Sequence, residues 1–100
     1  MRMMLKVTVP VESGNKTIAD GALPRVIQET VERIKPEAAY FTAAEGARTG
    51  LFFFDLADSS QIPSICEPLF SVLNAAIDIT PVMNAQELQK GLAAAAPAKR

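Results

Sequence analysis

Lys6, Asp55 and Asp78 each stand in or beside an otherwise apolar run, and the three together suggest proton chemistry. An ammonium set beside carboxylates on a half-buried surface is a constellation that shifts pKa values and can move a proton. Tyr40 adds a phenolic donor able to hold a developing oxyanion, and Phe53 adds an apolar wall. Five such side chains could position a small, partly apolar organic molecule. The same charges could instead form cross-strand ion pairs inside a protein contact, a common way of tolerating burial. The choice between a site and a contact depends on the elements that carry these residues.

Other chemistries are excluded by what the chain lacks. Its 100 residues contain no histidine, which removes a Ser-His-Asp triad, a Cys-His pair and histidine-ligated zinc or haem. The carboxylates are too scattered along the chain to suggest an oxygen-rich metal site. Neither a phosphate loop nor a dinucleotide fingerprint occurs, so no cofactor is expected. The single cysteine, Cys66, falls between Ile65 and Leu69 on an apolar stripe and reads as a core thiol. One cysteine makes no internal disulfide, which fits a reducing compartment, the cytoplasm. Ten Lys and Arg against eleven Asp and Glu leave a net charge of -1. No basic run exceeds Lys99-Arg100, which speaks against a nucleic-acid partner. Lys6 breaks the first apolar run, which argues against a signal peptide, and no stretch approaches membrane-spanning length.

The elements follow from apolar periodicity. Met3 to Val9 alternates, with Leu5, Val7 and Val9 on one side and Met4, Lys6 and Thr8 on the other, as a strand does. Pro10 ends it, Ser13-Gly14-Asn15 reads as a turn, and Lys16 to Asp20 as a short helical turn. Leu23, Val26, Ile27, Val31 and Ile34 recur at three and four residues, predicting a helix over Leu23 to Ile34. Ala38 to Ala44 and Leu51 to Leu56 read as strands joined by the polar turn Glu45-Gly46-Ala47-Arg48. Around that turn, Glu45 and Arg48 read first as solvated residues and alternatively as a pocket lid or partner contact.

Asp58-Ser59-Ser60 offers N-cap chemistry to a second helix, Ile62 to Leu73, with Pro68 inside it and Asn74 suited to a left-handed exit. Ala76 to Val82 is a fourth strand. Asn84 and Glu87 have capping-box spacing and open a last, weak helix. Ala93 to Arg100 is low-complexity and expected to fray. Residues 1–83 therefore form one domain and residues 84–100 a C-terminal helix and tail.

The order β-α-β-β-α-β predicts an α+β, ferredoxin-like fold. Its four-stranded antiparallel sheet would run 4-1-3-2, with two helices on one face and the other face open. Met4, Lys6, Thr8, Asp78, Thr80, Tyr40 and Thr42 would line the open face. The phase of the third strand is open; with Leu51, Phe53 and Asp55 assigned to this face, Lys6 has Asp78 on one neighbouring strand and could have Asp55 on the other. The run Leu51-Phe52-Phe53-Phe54 is apolar on both sides, as in a strand buried on both faces. With an apolar share of 49%, the cheapest cover for the open face is a second copy.

Three stretches support a family comparison: Lys35-Pro36-Glu37-Ala38-Ala39-Tyr40-Phe41, Glu67-Pro68-Leu69-Phe70 and Thr80-Pro81-Val82-Met83. The run through Val82 resembles the dimeric α+β barrel superfamily, and these stretches resemble small bacterial proteins of unassigned function. The resemblance implies two protomers packed sheet against sheet around a central cavity. Its members include cofactor-free monooxygenases, isomerases and proteins without known activity.

The expected function is thus a homodimer that binds a small, partly apolar molecule between the sheets, or a non-catalytic interaction module. The alternative is a cofactor-independent isomerase or monooxygenase acting on a small carbonyl or phenolic compound. There Lys6, Asp55 or Asp78 would handle the proton and Tyr40 the oxyanion.

Overall fold

A computed structural model describes residues 1–97. The elements are β1 (Arg2–Val9), α1 (Val11–Ala19), α2 (Ala22–Ile34), β2 (Ala38–Ala44), β3 (Ala47–Asp55), α3 (Ile62–Leu73), β4 (Ala76–Pro81) and α4 (Ala85–Ala95). A 3-10 turn at Ser59–Gln61 leads into α3. The protein is α+β, with one antiparallel sheet ordered β2-β3-β1-β4. Counted from the β4 edge, those neighbours are 4-1-3-2.

Alternation in β1 sets the layers. Met3, Leu5, Val7 and Val9 are buried against the helices. Met3 pairs with Phe54 and Leu5 with Phe52, so both phenylalanines take the covered side. A slip of one residue would turn them outward, so the burial of these four side chains fixes the register. Val26 and Ile34 of α2 and Ile65, Cys66, Leu69 and Leu73 of α3 complete the core. Leu51 and Phe53 point to the other face and are half-buried, and Thr49 on that face is buried.

The hairpin is tighter than its composition suggests. Glu45 (φ 54°) and Gly46 (φ 78°) make a two-residue turn with both residues left-handed. That twist matches the flanking strands. Ala47 and Arg48 therefore belong to β3 rather than to the turn.

A third helix covers the sheet where a turn was expected. Ser13, Gly14 and Asn15 lie inside α1, a case of tertiary contacts overriding weak local propensity. The Ser13 hydroxyl donates to the Leu73 carbonyl at 2.7 Å, and the Thr17 hydroxyl donates to the Ser13 carbonyl at 2.7 Å. Gly14 is buried beneath Arg48, where a Cβ would come within 2.6 Å of a guanidinium nitrogen.

Within α3, Pro68 has no N–H to give the Ser64 carbonyl four residues back. Arg33 of α2 donates to that carbonyl instead and ties the two helices together. Asn74 leaves α3 in the left-handed conformation at φ 54°, as its residue type suggested.

The Asn84–Glu87 capping box is present: each side chain accepts from the other's backbone N–H, at 2.8 and 2.9 Å. No residue of α4 is buried, and Leu88 and Leu92 are exposed. The helix persists to Ala95, so Ala93, Ala94 and Ala95 are helical where fraying was expected. The last three residues of that stretch lie outside the described residues. Among the described residues no helix is long and apolar enough to cross a membrane.

Candidate functional site

The register arranges the open face in rows across all four strands. Tyr40, Leu51, Lys6 and Asp78 form one row. Ala38, Phe53, Met4 and Thr80 form the next, and Thr42, Thr49, Thr8 and Ala76 the row on the other side. Lys6 and Asp78 are thus direct neighbours. Tyr40 lies two strands from Lys6, roughly 10 Å at ordinary strand spacing. Phe53 is in the adjoining row.

Asp55 departs from the expected arrangement. It pairs with Arg2, four residues along β1 from Lys6, while Leu51 occupies the place beside Lys6. The pairing of Phe52 and Phe54 with Leu5 and Met3 forces this offset. Asp55 instead accepts from the Met1 amino group at 2.7 Å. Among the described residues Lys6 and Asp78 form no ion pair within 4.0 Å; the salt bridges lie elsewhere. Arg2 joins Glu37 at 2.6 Å and Glu87 at 2.9 Å. The two carboxylates push its guanidinium pKa further up and hold the first turn of α4 against the edge of the open face.

The cavity lies on the opposite side of the sheet, where the residue pattern suggested only core. A space of about 360 Å³ opens between α2 and the helix side of β1, β2 and β3. Leu23, Ile27, Val7, Val9 and Phe41 make its apolar lining, and Gly50 lies between them. Phe41 is 60% exposed although it is on the helix-covered side, because α2 does not reach the β2 edge. Its ring meets Phe52 edge to face, with centroids 5.5 Å apart.

Arg48 is the one charged residue lining this space. Its register partners Val9 and Ala43 place it on the helix side. Its guanidinium donates to Asn15 Oδ1 of α1 at 3.1 Å. Glu45 and Arg48 are both exposed, as the solvated reading has it, while Arg48 belongs to β3 and not to the turn, and it also borders this space. None of Lys6, Tyr40, Phe53, Asp55 and Asp78 lines the cavity. One signal for it was present in the sequence: Gly50 interrupts an aromatic-rich strand, and a strand glycine marks a close approach by something else.

Cys66 is in the core as expected, and burial, helped by the Glu67 carboxylate, pushes its thiol pKa up. That is the opposite of an activated nucleophile. Among the described residues no group of three or more potential ligands could hold a metal ion. Comparison with models of known protein families, with curated proteins and with solved structures finds no match.

Proposed function

We propose that the chain is a small binding module that holds a largely apolar molecule in the cavity between α2 and the sheet. The observation that carries this reading is the cavity's combination of size and lining. Its volume of about 360 Å³ lies within the range of ligand sites, roughly 300–1,000 Å³. Its walls come from β1, β2, β3 and α2, so it is framed by regular structure and not by loops. Titration with toluene, followed by amide NMR, tests it. Val7, Ile27 and Gly50 are expected to shift in a saturable way. No shift at those positions would refute cavity binding.

A second reading, independent of the first, is self-association through the open face in the manner of the dimeric α+β barrels. It is supported by the half-buried Met4, Leu51 and Phe53 and by the exposed leucines of α4. The sheet face measures roughly 500 Å² in plan, and a stable interface takes about 800 Å² per partner. The α4 stripe, roughly 16 Å long, supplies much of the remainder. A homodimer built this way would enclose Lys6, Tyr40 and Asp78 between two sheets. Sedimentation velocity at micromolar concentration is expected to show a dimer, and Phe53→Glu a monomer, because it buries a charge in the contact. A well-behaved wild-type monomer would remove this reading and any inter-sheet cavity with it.

A further inference from the structure

We infer that the cavity beneath α2 takes a neutral fused-ring aromatic molecule and that Phe41 is the ring it packs against. This deepens the cavity-binding reading and rests on it. Among the described residues no side-chain donor or acceptor is turned into the space. Thr42 and Thr49 border it, but their register places them on the open face. Their hydroxyls donate to the carbonyls of Ala43 and Ala47 on their own strands. Arg48 also borders it, with its guanidinium turned to α1 at Asn15 and Gly14. Every buried side-chain nitrogen and oxygen among the described residues already has a hydrogen-bond partner. A hydroxyl, amide or charge carried into this space would give up water and gain no partner in return. The buried part of the ligand is therefore neutral hydrocarbon.

Size and shape narrow the class. A cavity of roughly 150 Å³ takes benzene, so one of about 360 Å³ takes a body near twice as large, of roughly ten to fourteen non-hydrogen atoms. The space is a layer between helix and sheet, with Leu23 and Ile27 on one side and Val7, Val9 and Gly50 on the other. Gly50 has no side chain to stand up into that layer, so a flat body suits it. Phe41 closes the layer toward the β2 edge. Its ring meets Phe52 edge to face and is otherwise exposed, which leaves it free to take a second aromatic partner. An aromatic pair gains affinity beyond the area it buries, and a saturated ring of the same size does not.

Toluene, methylcyclohexane, naphthalene and naphthalene-2,6-diol are the probes, titrated below their solubility limits and followed at the amides of Val7, Ile27 and Gly50. Naphthalene is expected to bind more tightly than toluene, and at least tenfold more tightly than the diol, whose two hydroxyls cannot both stay outside. Phe41→Leu should weaken toluene roughly threefold to tenfold and leave methylcyclohexane within about twofold. Position 41 is exposed, and a dispersed amide spectrum establishes that the variant folds. Equal binding of naphthalene and the diol by the wild type overturns the inference and leaves the cavity reading in place. So does equal weakening of toluene and methylcyclohexane in Phe41→Leu, or naphthalene binding more weakly than toluene. Absence of shifts with toluene and naphthalene alike overturns both.

Discussion

Phe41 and Gly50 are register partners on β2 and β3, and the edge of the phenyl ring fills the space where a side chain at position 50 would begin. A ring laid over a bare strand glycine restores the packing that the glycine omits. Here it also keeps one wall of the cavity low. A Cβ at Gly50 would stand 3.1 Å from Phe52 Cε2 and 3.3 Å from Phe41 Cδ1. Phe41 can swing outward, but Phe52 is fully buried and cannot. Gly50→Ala is therefore expected to destabilise the protein by about 1–2 kcal/mol through overpacking. A urea midpoint equal to or above that of the wild type would contradict it.

Pro68 and Arg33 are coupled through the Ser64 carbonyl, which the proline leaves free and the arginine occupies. In the wild type, Arg33→Met should cost about 1 kcal/mol. In a Pro68→Ala background the alanine N–H takes over that carbonyl, and the same change should cost less by about 0.5 kcal/mol or more. A double-mutant cycle in urea measures the difference. Equal losses in both backgrounds would exclude the coupling.

Glu45 holds a left-handed backbone at the tip of the β2–β3 hairpin. Glutamate pays a steric penalty there that asparagine largely avoids, and Asn-Gly is the favoured pair for this turn. Glu45→Asn should stabilise the protein by about 0.5–1 kcal/mol. Calorimetry is expected to show a rise of a few degrees in melting temperature.

Asp58, at the entry to α3, has its carboxyl pKa lowered below the ordinary 3.8, chiefly by the Ser60 hydroxyl and then by the Ser60 backbone. A carboxylate with a depressed folded pKa stabilises fully above its unfolded value. That contribution is lost as the pH falls through the folded one. The stability gap between wild type and Asp58→Asn should thus narrow on acidification below about pH 4. Urea titrations of both proteins across that range report it; a gap that widens toward low pH would reverse the assignment.

Lys6 and Asp78 face each other on adjacent strands without close contact among the described residues. Lys6→Met should therefore change the stability of the isolated chain by no more than about 0.5 kcal/mol. A loss of several kcal/mol would mean that the lysine is part of a buried network.

Local pattern alone determined most of the elements. β2 and α3 run over the residues their periodicity and punctuation marked, Ala38–Ala44 and Ile62–Leu73. The α4 capping box and the left-handed Asn74 were legible for the same reason, since both are short-range hydrogen-bond or backbone preferences. The phase of β3 was not legible, because Leu51-Phe52-Phe53-Phe54 is apolar on both sides; its pairing with Leu5 and Met3 puts Phe52 and Phe54 on the covered side and turns Leu51 and Phe53 away. Only the tertiary structure decided the rest. Helix α1 depends on Ser13 and Gly14 meeting Leu73 and Arg48, partners 60 and 34 residues distant in sequence. The separation of Asp55 from Lys6 depends on a cross-strand register that no single strand encodes. The cavity exists because α2 stops short of the β2 edge, leaving Phe41 exposed on the covered side of the sheet. Periodicity tells which side of an element is apolar; how closely two apolar sides meet is settled by the packing of the whole.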